Sequence, residues 1–431
     1  MTDADAISHK LHKAPVFILC AGTVGDIYPL LRIGRALKQR GHAVTFIGPE
    51  IHEHHVARAG LPFHSIFSTA QHLAIIGNPD VWHPRKGLSV ILSGLRQGAG
   101  RMVEVLALLP ENQDCVMLAH PLAVPAAATA RSRRPQLRIA TFYLAPSNLR
   151  SVHDPLTLGP LNIPPWVPHG MRRGLWRLMD KFMIDPAGLP GLNALRSDHG
   201  LPPVGHFLEH LYSTADLSVT LFPEWFASAP PDWPQPLYKG YFQRYDPAQG
   251  QDLPTPLLDF LGSGDTPIVF TPGSGNLHAH AYFLAAQKAA LRLGRRAIFL
   301  TPYREQVPQH LPDSLFWQDY VPLSSLLPHA ALLVHHGGIG TTAEALDAGV
   351  PQLVVPLAFD QFDNAARLAQ LGVGGSLSVG AVKRGGLIRA LRGLLDSSSV
   401  KRRCKEVAAR FLEPDDEDAL CRAIVGQDQM R

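Results

Sequence analysis

Two short apolar runs in this chain lead straight into glycine and then into helical spacing, and few folds accommodate that succession. Val16-Phe-Ile-Leu-Cys20 is followed by Gly22 and Gly25; Ala331-Leu-Leu-Val334 is followed by His335-His336 and then Gly337, Gly338 and Gly340. Runs that are apolar at every position, without alternation, read as strands of a parallel sheet covered on both faces. Behind the first turn, Leu30, Leu31, Ile33, Ala36 and Leu37 fall at helical spacing, Gly41 stops the helix, and Ala43–Ile47 is the next strand. This is a β-α-β unit, the opening of a doubly wound α/β domain.

The alternation recurs. Strands are expected at Cys115–Leu118, Leu137–Tyr143 and Leu217–Leu221, and a second series at Pro267–Thr271, Ala297–Leu300, Leu315–Trp317, Ala331–Val334 and Gln352–Val355. Helical patterns fall at Ala281–Leu293, Thr341–Ala348 and Asn364–Leu371. A chain of 431 residues has room for two such domains. The proline cluster Pro230-Pro231-Asp232-Trp233-Pro234 suggests a first domain over 1–235, a linker over 236–250 and a second domain over 251–412. A last helix over 413–431, headed by the acidic run Asp415–Asp418, is expected to be capped by its carboxylates. It has the option of packing back on the first domain.

Composition removes several classes. Forty basic and thirty-six acidic residues leave +4, too little for a nucleic-acid binder. Four cysteines lie far apart with no CxxC pair, so neither a disulfide framework nor a zinc knuckle is expected. No apolar run reaches membrane-spanning length and the start lacks a signal-peptide pattern, which points to the cytoplasm and leaves only peripheral membrane contact open. The acidic clusters lie in polar terminal segments, and no metal or other cofactor is expected.

Chemistry concentrates in the second half. Gly337, Gly338 and Gly340 let backbone amides approach an anion, and the helix start at Thr341–Thr342 adds its dipole. There is neither a Walker loop nor a GxGxxG fingerprint, so a nicotinamide oxidoreductase carries little weight. His336 is placed to donate to a diphosphate oxygen, and Glu344, a turn later, to accept both hydroxyls of a ribose. Asp360 and Gln361 follow the strand ended by Pro356, where open α/β sheets collect ligands, and a carboxylate beside an amide suits vicinal hydroxyls. A structural reading stands beside each: a helix cap at Asp360, a core histidine at His335, a helix cap at Asp26.

Taken together these residues resemble the GT-B, family-1-type glycosyltransferases. His335 to Thr341 matches His-x-Gly-Gly-x-Gly-Thr, and Gly349-Val-Pro and Asp360-Gln-x-x-Asn364 follow in the family's order. Gly22-Thr-Val-Gly-Asp-Ile-Tyr-Pro29 is similar to the amino-terminal loop of the bacterial, antibiotic and sterol enzymes, and Val269–Ser274 to their glycine-serine loop. Trp82-His-Pro-Arg-Lys, Leu221–Phe226 and Asp232–Pro236 extend the likeness toward the rhamnosyltransferases of rhamnolipid biosynthesis.

The resemblance implies two Rossmann-like domains facing across a cleft and an inverting, metal-independent hexosyltransferase. Ser274, His336, Gly337, Gly338, Gly340 and Thr341 would hold the donor diphosphate. Tyr320 would stack on the base, the Val321 backbone would read its edge, and Glu344 would take the ribose. Leu323 stands where relatives carry a glutamine. Asp360 and Gln361 would bind the sugar, Asp26 would be the general base, and Trp82, Phe142 and Trp166 would contact the acceptor. The partners implied are a nucleotide sugar, dTDP-rhamnose first and UDP-glucose second, and an apolar hydroxylated acceptor such as a hydroxy fatty acid. A flavonoid, macrolide or other natural product is the alternative acceptor. A nucleotide-sugar epimerase and an inactive nucleotide-binding auxiliary protein are the alternatives from other classes.

Overall fold

Short, mostly apolar runs build the strands. The computed structural model describes residues 13–427 apart from 84–85, 110, 155–156, 159–160, 165 and 249. In the first half the strands are β1 (Val16–Leu19), β2 (Val44–Pro49), β3 (Phe63–Phe67), β4 (Cys115–Ala119) and β5 (Leu137–Tyr143). A two-residue antiparallel pair follows, β6 (Thr157–Leu158) and β7 (Leu161–Asn162), then β8 (Leu217–Thr220) and β9 (Leu237–Lys239). The seven-stranded sheet runs β3-β2-β1-β4-β5-β8-β9 with every pairing parallel.

The expected linker therefore starts too early. Leu237–Lys239 pairs with β8 through Ser218↔Leu237 and closes the first sheet, so the crossing to the second half begins after it. The second half contains β10 (Ile268–Thr271), β11 (Ala297–Leu300), β12 (Leu315–Gln318), β13 (Leu332–His335), β14 (Gln352–Val354) and β15 (Gly374–Ser376). Its sheet runs β12-β11-β10-β13-β14-β15, again all parallel.

Both sheets change direction beside their first strand, between β1 and β4 and between β10 and β13. At such switch points helices leave to opposite faces and open a crevice at the strand carboxyl ends. The first crevice carries Gly22–Asp26 and His120; the second carries Gly273–Ser274 and His336–Thr341.

The halves are tied in three places. A shared apolar core joins Tyr143 and Phe222 of the first, with Phe242 of the crossing segment, to Val354, Leu368 and Val407 of the second. Arg367, 8% exposed, donates to Asp363 at 2.8 Å on its own helix and to Asp154 of the first half at 2.5 Å. The Glu417–Val425 helix puts Leu420, Cys421 and Ile424 into the core of the first domain. Asp416 accepts from the Ala419 N–H at 2.8 Å and caps that helix, while Arg32 and Arg40 of the Val24–Gln39 helix meet Asp415, Glu417 and Asp418. Those part-exposed pairs are worth at most about 1 kcal/mol each, whereas burying Leu420 and Ile424 contributes about 1.5–3 kcal/mol apiece.

Candidate active site

Strand alternation separates the two histidines at the end of β13. His335 is fully buried; its Nδ1 accepts from the Gly337 N–H at 3.2 Å, and its Nε2 lies 3.0 Å from Gln352 Oε1. These partners place the proton on Nε2. Burial pushes its pKa down to about 3, so it is a neutral core residue.

His336 turns the other way, between two glycines. A Cβ at Gly273 would come within 2.6 Å of the ring and one at Gly338 within 2.5 Å, so both positions are glycine because the imidazole needs the space. Its Nδ1 is buried without a partner, and desolvation lowers its pKa to about 4. A neutral imidazole with an unused nitrogen therefore stands beside an open helix start.

That helix is Ile339–Asp347, with Gly338 as its N-cap. The Ile339, Gly340 and Thr341 amides fall in the first turn, where no intrahelical acceptor exists. Two expected amides are not free. The Gly337 N–H is spent on His335, and the Thr342 N–H bonds Gly338 O at 2.9 Å. Gly337 contributes its backbone shape instead, with φ +98° and its carbonyl accepting from Asn364 at 2.9 Å.

Ser274, Tyr320, Val321, Gly340, Thr341 and Glu344 line one cavity between the halves. Val24, Gly25 and Tyr28 of the first domain close its far wall, and Arg244 and Asp246 come from the crossing segment. Burial raises the Glu344 pKa to about 7, and Arg244, 3.7 Å away, opposes the shift. Glu344 Oε2 is buried, and the Arg244 guanidinium 3.7 Å away is its ion-pair partner. The Tyr320 hydroxyl donates to Asp246 and interacts with Tyr28 across the cavity. Val321 is 5% exposed, so only its backbone can meet a ligand.

Asp26 sits in the first turn of the Val24–Gln39 helix. Its Oδ2 accepts from the Thr23 N–H at 2.7 Å and the Thr23 hydroxyl at 3.1 Å, so the capping role is real and Oδ1 remains for other work. Gly22 permits this fold-back: a Cβ there would lie 2.2 Å from Oδ2. The charge of Asp26 is felt by His72, by His120 and, across the cleft, by Asp360. Asp360 accepts from Asn364 Nδ2 at 2.8 Å; burial, with Asp26 adding to it, raises its pKa to about 7. The residue before it, Phe359, holds φ +56°, a backbone state that costs a non-glycine residue roughly 1–2 kcal/mol and is tolerated where surrounding structure enforces it.

Three expectations need correction. Gln361 is 3% exposed, and its Oε1 accepts from the Leu357 and Ala358 amides at 2.7 and 3.1 Å; it holds the loop, leaving only its NH2 group for a sugar. Phe142 is fully buried in the first core, on the inner face of β5, and lines no cleft. Trp166 is 79% exposed ahead of the His169–Met179 helix, away from the cavity. Trp82 does reach the second half: its ring lies 6.2 Å from Phe359, and its indole N–H is buried without a partner.

Three site residues escaped the sequence reading, and a fourth, Asn364, entered it only as a motif position without a role. Asn364 joins Asp360 to the Gly337 carbonyl, Arg244 and Asp246 come from the crossing segment, and His120 follows β4. His120 was findable, since it stands at the carboxyl end of an expected strand. Among the described residues no cluster of three or more His, Cys, Asp or Glu side chains could hold a metal ion, and no helix is long and apolar enough to cross a membrane.

Comparison with known proteins follows the same division. Residues 16–133 match the glycosyltransferase family 28 N-terminal domain, and residues 297–417 match the erythromycin biosynthesis protein CIII-like C-terminal domain. The chain is a GT-B glycosyltransferase. This glycosyltransferase is 28% identical to O-mycaminosyltylonolide 6-deoxyallosyltransferase of Streptomyces fradiae over 380 residues, 83% of this chain and 84% of that one. It is 28% identical to glycosyltransferase GtfE of Amycolatopsis orientalis over 83% of this chain and 85% of that one. Its fold is shared with the spinosyn rhamnosyltransferase SpnG at a TM-score of 0.67 and 18% identity, covering 96% of this chain and all 100% of that one. It is shared equally with the calicheamicin glycosyltransferase CalG4, at 0.69 and 19% identity over 97% and 100%.

Proposed function

We propose that this glycosyltransferase moves a deoxyhexose, rhamnose first, from a dTDP donor to a hydroxyl of an apolar small molecule of the macrolide type, with inversion and without a metal. The observation that carries the reading is the cavity between the halves, where Ser274, Gly340, Thr341, Tyr320 and Glu344 converge. The names of relatives support the sugar class, since one is a 6-deoxyallosyltransferase and another a rhamnosyltransferase. A spinosyn rhamnosyltransferase of this fold has been crystallised with thymidine diphosphate.

In this mechanism the diphosphate lies against the first-turn amides of the Ile339–Asp347 helix, with His336 donating to it. Glu344, held beside Arg244, accepts from the ribose hydroxyls, and Asp360, held by Asn364, bonds the sugar. Asp26 Oδ1 takes the acceptor proton as the oxygen attacks the anomeric carbon; the anomeric C–O bond to phosphate breaks, and its electron pair leaves with the diphosphate. Amides, helix dipole and imidazole disperse that charge without an ion.

The test is a donor screen against mixed acceptors, read by mass spectrometry. A deoxyhexose gain on the acceptor, with free dTDP released only when acceptor is present, is expected. A hexose gain from UDP-glucose replaces the donor assignment; a product on hydroxy fatty acid alone replaces the acceptor. Sugar conversion without acceptor points to an epimerase, and binding without turnover to an auxiliary protein.

A further inference from the structure

On the outer face of the first domain, the chain between the β6–β7 pair and β8 carries six large apolar side chains in solvent. Trp166, Met171, Leu175, Leu178, Phe182 and Met183 are 79, 62, 41, 54, 67 and 43% exposed. Met171, Leu175, Leu178 and Phe182 are spaced by four, three and four residues, which places them on one side of the His169–Met179 helix and the π-helical turn Asp180–Ile184 that continues it. The opposite side is fastened down. Arg172, 4% exposed, donates to the Val152 carbonyl at 2.7 Å, and the Trp176 indole donates to the Ser151 carbonyl at 3.1 Å. The apolar stripe is thus a held feature of the folded domain.

Its charge is one-sided. Arg173, Arg177 and Lys181 are all exposed; Lys181 and Arg177 lie beside the Leu178–Phe182 end of the stripe, and Arg173 lies farther round the helix. The two carboxylates between Trp166 and Asp185 are turned in: Asp180 is 17% exposed and paired with Arg150, and Asp185 is 14% exposed, accepting from the Phe207 N–H at 2.9 Å with His206 beside it. A narrow apolar ridge with cations at its edge and its acids withdrawn complements an anionic bilayer, where side chains enter the acyl boundary and cations meet headgroups.

We propose that this ridge is a peripheral membrane-docking surface for anionic lipid. It would seat the enzyme on the leaflet in which an apolar acceptor dissolves; that last clause alone rests on the proposed function, and docking itself does not. The two cations beside the ridge, Arg177 and Lys181, make binding selective for charge, by about 30-fold near an anionic surface.

Co-sedimentation of the full chain with vesicles tests it. Pelleting with phosphatidylcholine vesicles containing phosphatidylglycerol, little pelleting with phosphatidylcholine alone, and release by raised salt are expected. The triple variant Arg173→Glu, Arg177→Glu, Lys181→Glu should stay in the supernatant, as should Leu178→Ser with Phe182→Ser, both with wild-type melting and unchanged turnover of a soluble acceptor. Equal affinity for neutral and anionic vesicles, no pelleting at all, or a triple variant that pellets like wild type overturns the proposal. A wild-type dimer in ultracentrifugation that Phe182→Ser dissociates also overturns it, and gives the ridge to a second copy of the chain.

Discussion

Thr23 donates two hydrogen bonds to Asp26 Oδ2, which fixes the carboxylate and leaves Oδ1 as the face it can turn toward an acceptor hydroxyl. Asn at this position keeps an oxygen for Thr23 but loses the base, so Asp26→Asn should bind donor normally and lower kcat by about 10²–10⁴. Near-normal turnover in that variant, measured as nucleotide release, removes Asp26 from the chemistry. Asp360 is tested by pH. Its folded pKa of about 7 lies above the unfolded value of about 4, so the folded state holds a proton that the unfolded chain gives up. That contribution is complete below about pH 4 and is lost as pH rises through 7. The melting temperature of Asp360→Asn relative to wild type should therefore climb between pH 5 and pH 8; a constant difference would mean an ordinary carboxyl. Asp26, His336 and Glu344 were legible because each stands a fixed step from glycine or a helix start. Gln361 was only half legible: the motif names the residue, but not the two loop amides that claim its oxygen. Phe142 failed because every residue of a strand buried on both faces looks alike in sequence.

At the scale of elements, the unit from β13 through the Ile339–Asp347 helix is set by what its glycines leave empty. Gly338 has φ −61°, so alanine suits the backbone there, yet its Cβ would press on His336 Nε2 at 2.5 Å. Alanine at Gly340 meets nothing within 4 Å. Gly338→Ala should weaken dTDP binding at least tenfold by calorimetry with little change in fold, whereas Gly340→Ala should leave His336 in place and keep the melting temperature at or above wild type. Equal affinity loss in the two would shift the blame from the imidazole to crowding of the diphosphate. Of the helices only those after β1, β10, β13 and β14 and the last one were expected, whereas most strands of both sheets follow from apolar runs. β9 does not, because Leu-Tyr-Lys is too short and too polar to announce itself; its pairing with β8 makes it a strand, and that information lies in tertiary contact.

Across the whole molecule, Arg367 is a buried charged tie between the halves. Its guanidinium serves Asp363, which is 3% exposed, and Asp154 of the other half. Removing one member of a buried pair typically costs about 3–5 kcal/mol, so Arg367→Met should lower the thermal midpoint sharply and Asp154→Asn much less. A harmless Arg367→Met would show that the apolar contact between the halves suffices. The two-domain plan was readable from the repeated alternation, and so was a last helix with an acidic cap. The arginines that receive its acids, at positions 32 and 40, lie too far away in sequence for any local pattern to pair them. The helix over Glu417–Val425 also sets an order of events. Leu420 and Ile424 complete the hydrophobic interior of the half that leaves the ribosome first. At ~5–20 residues per second, that half waits roughly ten to forty seconds for its closing piece. During this interval the side of the Val24–Gln39 helix that packs against the Glu417–Val425 helix lacks that apolar cover.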